Sequence, residues 1–172
     1  MPTIGVALAI PEPWATQLQD YRTALGDETA TRIPTHITLV PPTEVGDDDL
    51  AAIDRHLATT ARGFPPFTVH LRGTGTFRPV SPVVFVTLAE GISGCEQLAH
   101  AVRRGPLDVP LQFPYHPHVT IAHHLPDETL DRAFAELASF ECVFPADEFH
   151  LYRHEDAAGW RPTREYPLGG AA

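Results

Sequence analysis

The sequence of 172 residues contains no lysine: all 12 basic residues are arginine, set against 22 Asp and Glu, for a net charge of -10. Without an amine there is no Schiff-base catalysis, no lysine-dependent nucleotidyl transfer and no phosphate loop of the usual kind. The acidic balance also argues against a surface that coats nucleic acid. Cysteine is scarce: Cys95 and Cys142 stand alone, without Cys-x-x-Cys spacing, which excludes a disulfide framework and reads as reduced thiols in a cytosolic protein. Long apolar runs are missing too, since none approaches the roughly 18 residues that cross a bilayer. The segment from Met1 to Ile10 is apolar but has no basic leader and is stopped by Pro11 and Pro13. It is expected to be a buried strand, in a cytoplasmic protein with no membrane partner.

What remains is ordinary in bulk and unusual in two residues. Apolar residues make up 43% and charged residues 20%, as in soluble globular proteins, and the length suits a single domain over residues 1–172. Ten histidines and 18 prolines stand out. Imidazole can serve as acid, base or metal ligand near neutral pH, so the histidines are the feature to explain.

The apolar pattern predicts an alternation of elements. Pro13 to Leu25 reads as a helix, with Trp14, Leu18, Tyr21 and Leu25 on one side. Thr31 to Val40 alternates as a strand that Pro41-Pro42 should end. Asp47 to Asp49 opens an amphipathic helix through Leu50, Ile53, Leu57 and Ala61, its acidic residues suited to capping a helix N-terminus. Phe67 to Phe77 and Val83 to Leu88 form a hairpin, within which Gly73-Thr74-Gly75 reads as a bulge. The order then repeats: a helix from Ser93 to Arg104, a strand from His116 to His124, a helix from Asp127 to Ala138, and a hairpin of Glu148 to His154 with Trp160 to Leu168. Many prolines fall at the boundaries.

The two corresponding strands carry near copies of one motif. The first reads Pro34-Thr35-His36-Ile37-Thr38-Leu39-Val40, the second His116-Pro117-His118-Val119-Thr120-Ile121-Ala122. One His-x-Thr is worthless by itself, because ten histidines and 17 threonines produce roughly one by chance. Two copies flanked by apolar residues, on equivalent strands of a repeat, are not explained that way. Side chains two apart on a strand share a face, so each strand presents an imidazole beside a hydroxyl while Ile37, Leu39, Val119 and Ile121 enter the core. If the halves face each other, one neutral histidine can take a proton from the attacking oxygen and a protonated one can give a proton to the leaving oxygen. The threonine hydroxyls can donate to the non-bridging phosphate oxygens, and no metal is required.

On these motifs the chain resembles the 2H phosphoesterase superfamily, which includes bacterial 2'-5' RNA ligase-like proteins and RNA 2',3'-cyclic phosphodiesterases. That group carries two His-x-Ser/Thr-x motifs about 80 residues apart, and here His36 and His118 are separated by 82. The resemblance spans essentially the whole chain. It implies an α+β, bilobal, pseudo-twofold fold in which two antiparallel sheets flank a central cleft, with helices on the outside. It also implies opening of a 2',3'-cyclic phosphate to a 2'-phosphate without metal or ATP, and in some members a weak reverse joining reaction. His36 and His118 would be the acid/base pair, and Thr38 and Thr120 the phosphate donors. Many ligase-like members have an Arg three residues after the second motif's Thr; here that position is His123. With the acidic balance, this favours a nucleotide or an RNA end carrying a cyclic phosphate, held at its terminus, over an extensive grip on nucleic acid, in a monomer without cofactors.

Other residues have weaker cases. His116, His118, His123 and His124 could suggest a metal, but no acidic residue lies among them, and His118 to His124 spans about 20 Å of strand. Tyr115 and Phe113 could stack on a base at the cleft mouth, although Phe113 better suits the core. Arg153, beside Tyr152 on the last hairpin, is a further phosphate candidate if the hairpin reaches the cleft.

Overall fold

A computed structural model describes residues 1–169. Eight strands and four α-helices follow in order: β1 (Thr3–Ala9), α1 (Trp14–Ala24), β2 (His36–Glu44), α2 (Leu50–Arg62), β3 (Phe67–Thr76), β4 (Val83–Glu90), α3 (Ile92–Val102), β5 (Val119–His123), α4 (Asp127–Glu136), β6 (Glu141–Ala146), β7 (Glu148–Glu155) and β8 (Gly159–Pro167). Short 3-10 turns occupy Asp47–Asp49 and Gly105–Leu107. The strands form two antiparallel sheets of four, ordered β2-β1-β7-β8 and β5-β4-β3-β6. The fold is α+β and bilobal, as the family resemblance implies.

The repeat is a strand, a helix, a motif strand and a helix: β1-α1-β2-α2, then β4-α3-β5-α4. In both copies the motif strand takes the outer edge of its sheet, beside the strand that opens the copy. The strand after α2 joins the second sheet and the final hairpin joins the first, so each sheet is built from both halves of the chain. One buried apolar cluster runs through the whole molecule. In α2 it takes Ile53, Leu57 and Ala61, four residues apart on one face, and the carboxylate of Asp49 closes the entry by accepting the Gly46 N–H at 3.1 Å. In β1 it takes Ile4, Val6 and Leu8, while Gly5 and Ala7 leave the opposite face with little more than a methyl group.

Four expectations are corrected. Pro41-Pro42 does not end β2, which runs on to Glu44; it is an edge strand, and a register shift between Ile4 and Val6 of β1 accommodates the prolines. The second motif strand is shorter than expected, beginning at Val119, so His116 and His118 lie on the extended segment that enters it. Strand β6 was not anticipated, although Cys142, Phe144 and Ala146 alternate inward; Pro145 reads as a breaker in sequence but is tolerated on the edge of the second sheet. Phe113, expected in the core, is 62% exposed. The Gly73-Thr74-Gly75 bulge is present, with Gly73 at φ +78 and shifted register against β4.

Candidate active site

Each motif strand bulges at the same place. Against β1, Ala7 pairs with Thr38 and Val6 with Val40, leaving Leu39 as an extra residue. Against β4, Phe85 pairs with Thr120 and Val84 with Ala122, leaving Ile121 as the extra residue. Leu39 and Ile121 are 82 positions apart, the spacing of the two histidines. The bulge buries two successive residues in each strand, Leu39 with Val40 and Ile121 with Ala122, and reverses the alternation beyond them. His123 therefore returns to the half-buried side shared by His118 and Thr120, a relation that simple strand parity misses.

The two imidazoles are held alike. Nδ1 of His36 lies 2.6 Å from the carbonyl oxygen of Pro34, and Nδ1 of His118 lies 2.7 Å from that of His116, in each case two residues upstream. A carbonyl only accepts, so Nδ1 carries the proton in both rings and Nε2 is the basic atom of each neutral histidine. Nε2 of His36 stands 3.1 Å from the Thr38 hydroxyl, which donates to it while the ring is neutral. Nε2 of His118 has no protein partner among the described residues, and neither does the Thr120 hydroxyl.

Burial holds both imidazolium forms below the ordinary histidine value of 6.5. For His36 the backbone bond to Pro34 opposes the shift and the charge of Arg22 adds to it. For His118 the His116 carbonyl opposes it, and the charges of His116 and His36 add to it. His118 thus senses the charge of His36 across the junction where β2 approaches β5. The His118 environment is aromatic: Phe77 and Phe85 lie with ring centroids 4.9 and 5.2 Å from it, and 4.5 Å from each other. Neither phenylalanine was singled out from sequence, because both come from the β3–β4 hairpin and meet His118 only in three dimensions.

Beside His36 and Thr38 opens a cavity of about 200 Å³, walled by Trp160, Tyr152, Pro34 and Pro42. Trp160 lies against Gly5, where a Cβ would come within 3.6 Å of the indole. Arg153 does not share this wall. On β7 it is opposite Ile4, on the reverse face of the sheet from Tyr152 and its partner Gly5, so the expectation that Arg153 reaches the cleft is corrected by strand alternation. Tyr115 is a bridging residue, since its hydroxyl donates to the Thr38 carbonyl at 2.6 Å and the Arg103 guanidinium lies 5.7 Å from its ring centre. That geometry ties one motif to the other.

His123 is engaged with an acid. Its Nε2 lies 3.6 Å from Asp27, whose same oxygen is 3.7 Å from the buried Arg22 guanidinium. Burial lowers the His123 pKa, and Asp27 partly restores it. Burial would raise the Asp27 pKa, but hydrogen bonds from Thr29, together with His123 and Arg22, leave it lowered. Arg22 also donates to the Ile33 carbonyl at 2.6 Å and the Thr35 hydroxyl at 3.0 Å, fixing the approach to His36. Sequence reasoning passed over Arg22 and Asp27.

The His36–Thr38 pair on one edge strand, and the His118–Thr120 pair at the entry to the edge strand of the other sheet, fit the class of two-histidine phosphoesterases. The sequence model of the 2'-5' RNA ligase superfamily matches residues 10–158, and the chain belongs to that family. A Bacillus licheniformis protein named as a phosphoesterase is 31% identical over 141 residues, covering 80% of this chain and 82% of its own. A Staphylococcus haemolyticus protein of the same description is 27% identical over 168 residues, covering 96% and 98%. Among solved structures, a Thermus thermophilus protein superposes with TM-score 0.71 at 21% identity over the full length of both chains. Escherichia coli LigT, solved with 3'-AMP, superposes with TM-score 0.68 at 21% identity over 98% of this chain and 99% of its own. No helix among the described residues is long and apolar enough to cross a membrane.

Proposed function

We propose that this phosphoesterase opens 2',3'-cyclic phosphates of nucleotides or RNA ends to 2'-phosphates, with His36 and His118 as the acid/base pair and Thr38 and Thr120 as donors to the phosphate. The observation that supports the reading is the matched presentation of the two imidazoles, each with Nδ1 on the carbonyl two residues upstream, Nε2 of His118 unpartnered and Nε2 of His36 meeting the Thr38 hydroxyl. One neutral Nε2 accepts a proton from the attacking water. The water oxygen bonds to phosphorus, the bond to O3' breaks, and the other imidazolium protonates that oxygen, leaving a 2'-phosphate and a 3'-hydroxyl. Hydroxyl donors meet the charge on the non-bridging oxygens. The step needs no metal, nucleotide or other cofactor, and a 5'-hydroxyl attacking in place of water, with O3' leaving as before, gives the weak 2'-5' joining reaction.

The cavity walled by Trp160 and Tyr152 supports a ribose or base beside the phosphate. With no lysine and a net charge of -10, the protein favours recognition of one terminal phosphate over an extended grip on RNA.

The test is incubation with 2',3'-cyclic nucleotides and with an RNA oligomer ending in a cyclic phosphate, with and without chelator, comparing wild type with His36→Ala. Chelator-insensitive turnover that falls roughly 10² to 10⁴-fold in the variant is expected. Product binding without turnover would recast the protein as a terminal-phosphate binding module, and loss of activity with chelator would point to metal chemistry.

A further inference from the structure

On the sheet that carries His36, a second group of side chains faces the same way. Glu148 and His150 are two apart on β7 and share a face, and Glu165 on β8 stands directly opposite His150. His150 is in turn opposite Ala7, and Ala7 is opposite Thr38. The cluster therefore lies on the sheet face of the first motif, two strands away, or about 10 Å from Thr38 at ordinary strand spacing.

Ligand-type atoms of Glu148, His150 and Glu165 all lie within 4.8 Å of one another. Nε2 of His150 is 3.9 Å from Glu148 and 3.8 Å from Glu165, beyond hydrogen-bond distance, and its Nδ1 is buried without a partner. Nε2 is therefore the atom that both carboxylates flank, free to take an ion between them. The carboxylates have no Arg beside them: among the described residues, His150 is the one basic side chain within 4.0 Å of either.

From this arrangement we infer that Glu148, His150 and Glu165 form a binding site for a divalent first-row transition metal. One imidazole nitrogen with two carboxylates is a donor set that suits zinc, manganese or iron better than magnesium or calcium, which prefer oxygen alone. Metal–ligand bonds of about 2.1 Å place neighbouring ligand atoms on a tetrahedral ion roughly 3.4 Å apart. The observed 3.8 and 3.9 Å require the side chains to close by about half an ångström. Three protein ligands leave at least one coordination position open. At about 10 Å from Thr38 the ion is too far to touch a phosphate held by that hydroxyl, so this site is separate from the proposed chemistry.

The experiment is calorimetric titration of the full chain with Zn²⁺, Mn²⁺ and Mg²⁺. The background is a His36→Ala/His118→Ala double variant, which removes the two motif imidazoles as competing ligands. One equivalent of Zn²⁺ is expected, with Mn²⁺ weaker and Mg²⁺ weakest. His150→Ala and, as a more conservative change, Glu165→Gln should each weaken Zn²⁺ at least roughly tenfold, with unchanged far-ultraviolet dichroism. No saturable Zn²⁺ binding at millimolar metal, binding indifferent to both substitutions, or Mg²⁺ binding tighter than Zn²⁺ would overturn the assignment. The readout is metal affinity, so a failed phosphodiesterase assay leaves this inference standing, and the converse holds equally.

Discussion

The hydroxyl of Tyr115 donates a 2.6 Å hydrogen bond to the backbone carbonyl of Thr38, so the residue three places before one motif histidine grips the other motif's threonine. Strand β2 is an edge strand and Thr38 is half-buried, so without Tyr115 this carbonyl would have no partner from a neighbouring strand on that side. The bond couples the spacing of the two motifs. Tyr115→Phe should lower stability by about 1–3 kcal/mol, the cost of leaving a half-buried acceptor unmet. It should also reduce kcat more than it raises KM, because the two imidazoles lose their fixed separation. Urea denaturation and steady-state kinetics on a 2',3'-cyclic nucleotide check this, and wild-type kcat in the variant would contradict it.

Acid/base catalysis by His36 and His118 needs one neutral and one charged ring, and burial holds both below the ordinary value of 6.5. At neutral pH the free protein then has both rings largely neutral and lacks the acid. The kcat/KM profile should be bell-shaped with its maximum below about pH 6.5, the two limbs belonging to the coupled pair as a whole. A bound phosphate favours the imidazolium, so the kcat profile should lie at higher pH than the kcat/KM profile. A kcat/KM maximum above pH 7 would contradict the assignment.

Much of this site was legible in the sequence, and the limit has a physical origin. The two His-Thr pairs could be read because strand period and residue type depend on local sequence, and because a duplication makes chance a poor explanation. The bulges at Leu39 and Ile121 could not, since a leucine or isoleucine is equally at home in a regular strand; that hid the position of His123. Phe77, Phe85, Arg22 and Asp27 act on the histidines through contacts that only the fold creates. For Arg153 a one-residue distinction decided the matter: alternation sends Tyr152 to the cleft and Arg153 to the other face.

The depressed histidines also make stability depend on pH. His36, His118 and His123 are each lowered from 6.5 in the folded protein, so the unfolded chain binds more protons as the medium is acidified. Their contribution is complete above about pH 6.5 and is lost as pH falls through the lowered folded-state values. Tm should therefore drop between about pH 7.5 and about pH 5, before most carboxylates titrate. The His36→Ala/His118→Ala double variant should show a shallower drop over the same interval. Parallel curves for the two proteins would contradict the attribution.

Gly75 transmits packing directly to His118. It pairs with Phe85 across the β3–β4 hairpin, and a Cβ added there would sit 2.7 Å from Cε2 and 2.8 Å from Cζ of that phenylalanine. Phe85 has little room to withdraw: Phe77 lies 4.5 Å away, and His116 and His118 lie 5.3 and 5.2 Å away, centroid to centroid. Gly75→Ala must therefore displace the aromatic wall that shields His118, at a cost of about 1–3 kcal/mol for overpacking. Loosening that wall admits water, relieves the desolvation that depresses the imidazolium, and should move one limb of the kcat/KM profile upward while lowering the maximum. Gly63→Ala is the control: its Cβ would meet nothing closer than 3.7 Å, and its φ of -88 suits any residue, so stability and the pH profile should hardly change. If Gly75→Ala lowers stability but leaves the profile in place, Phe85 is a packing residue alone. A shifted limb would show that the Phe77–Phe85 pair sets the working pH of His118.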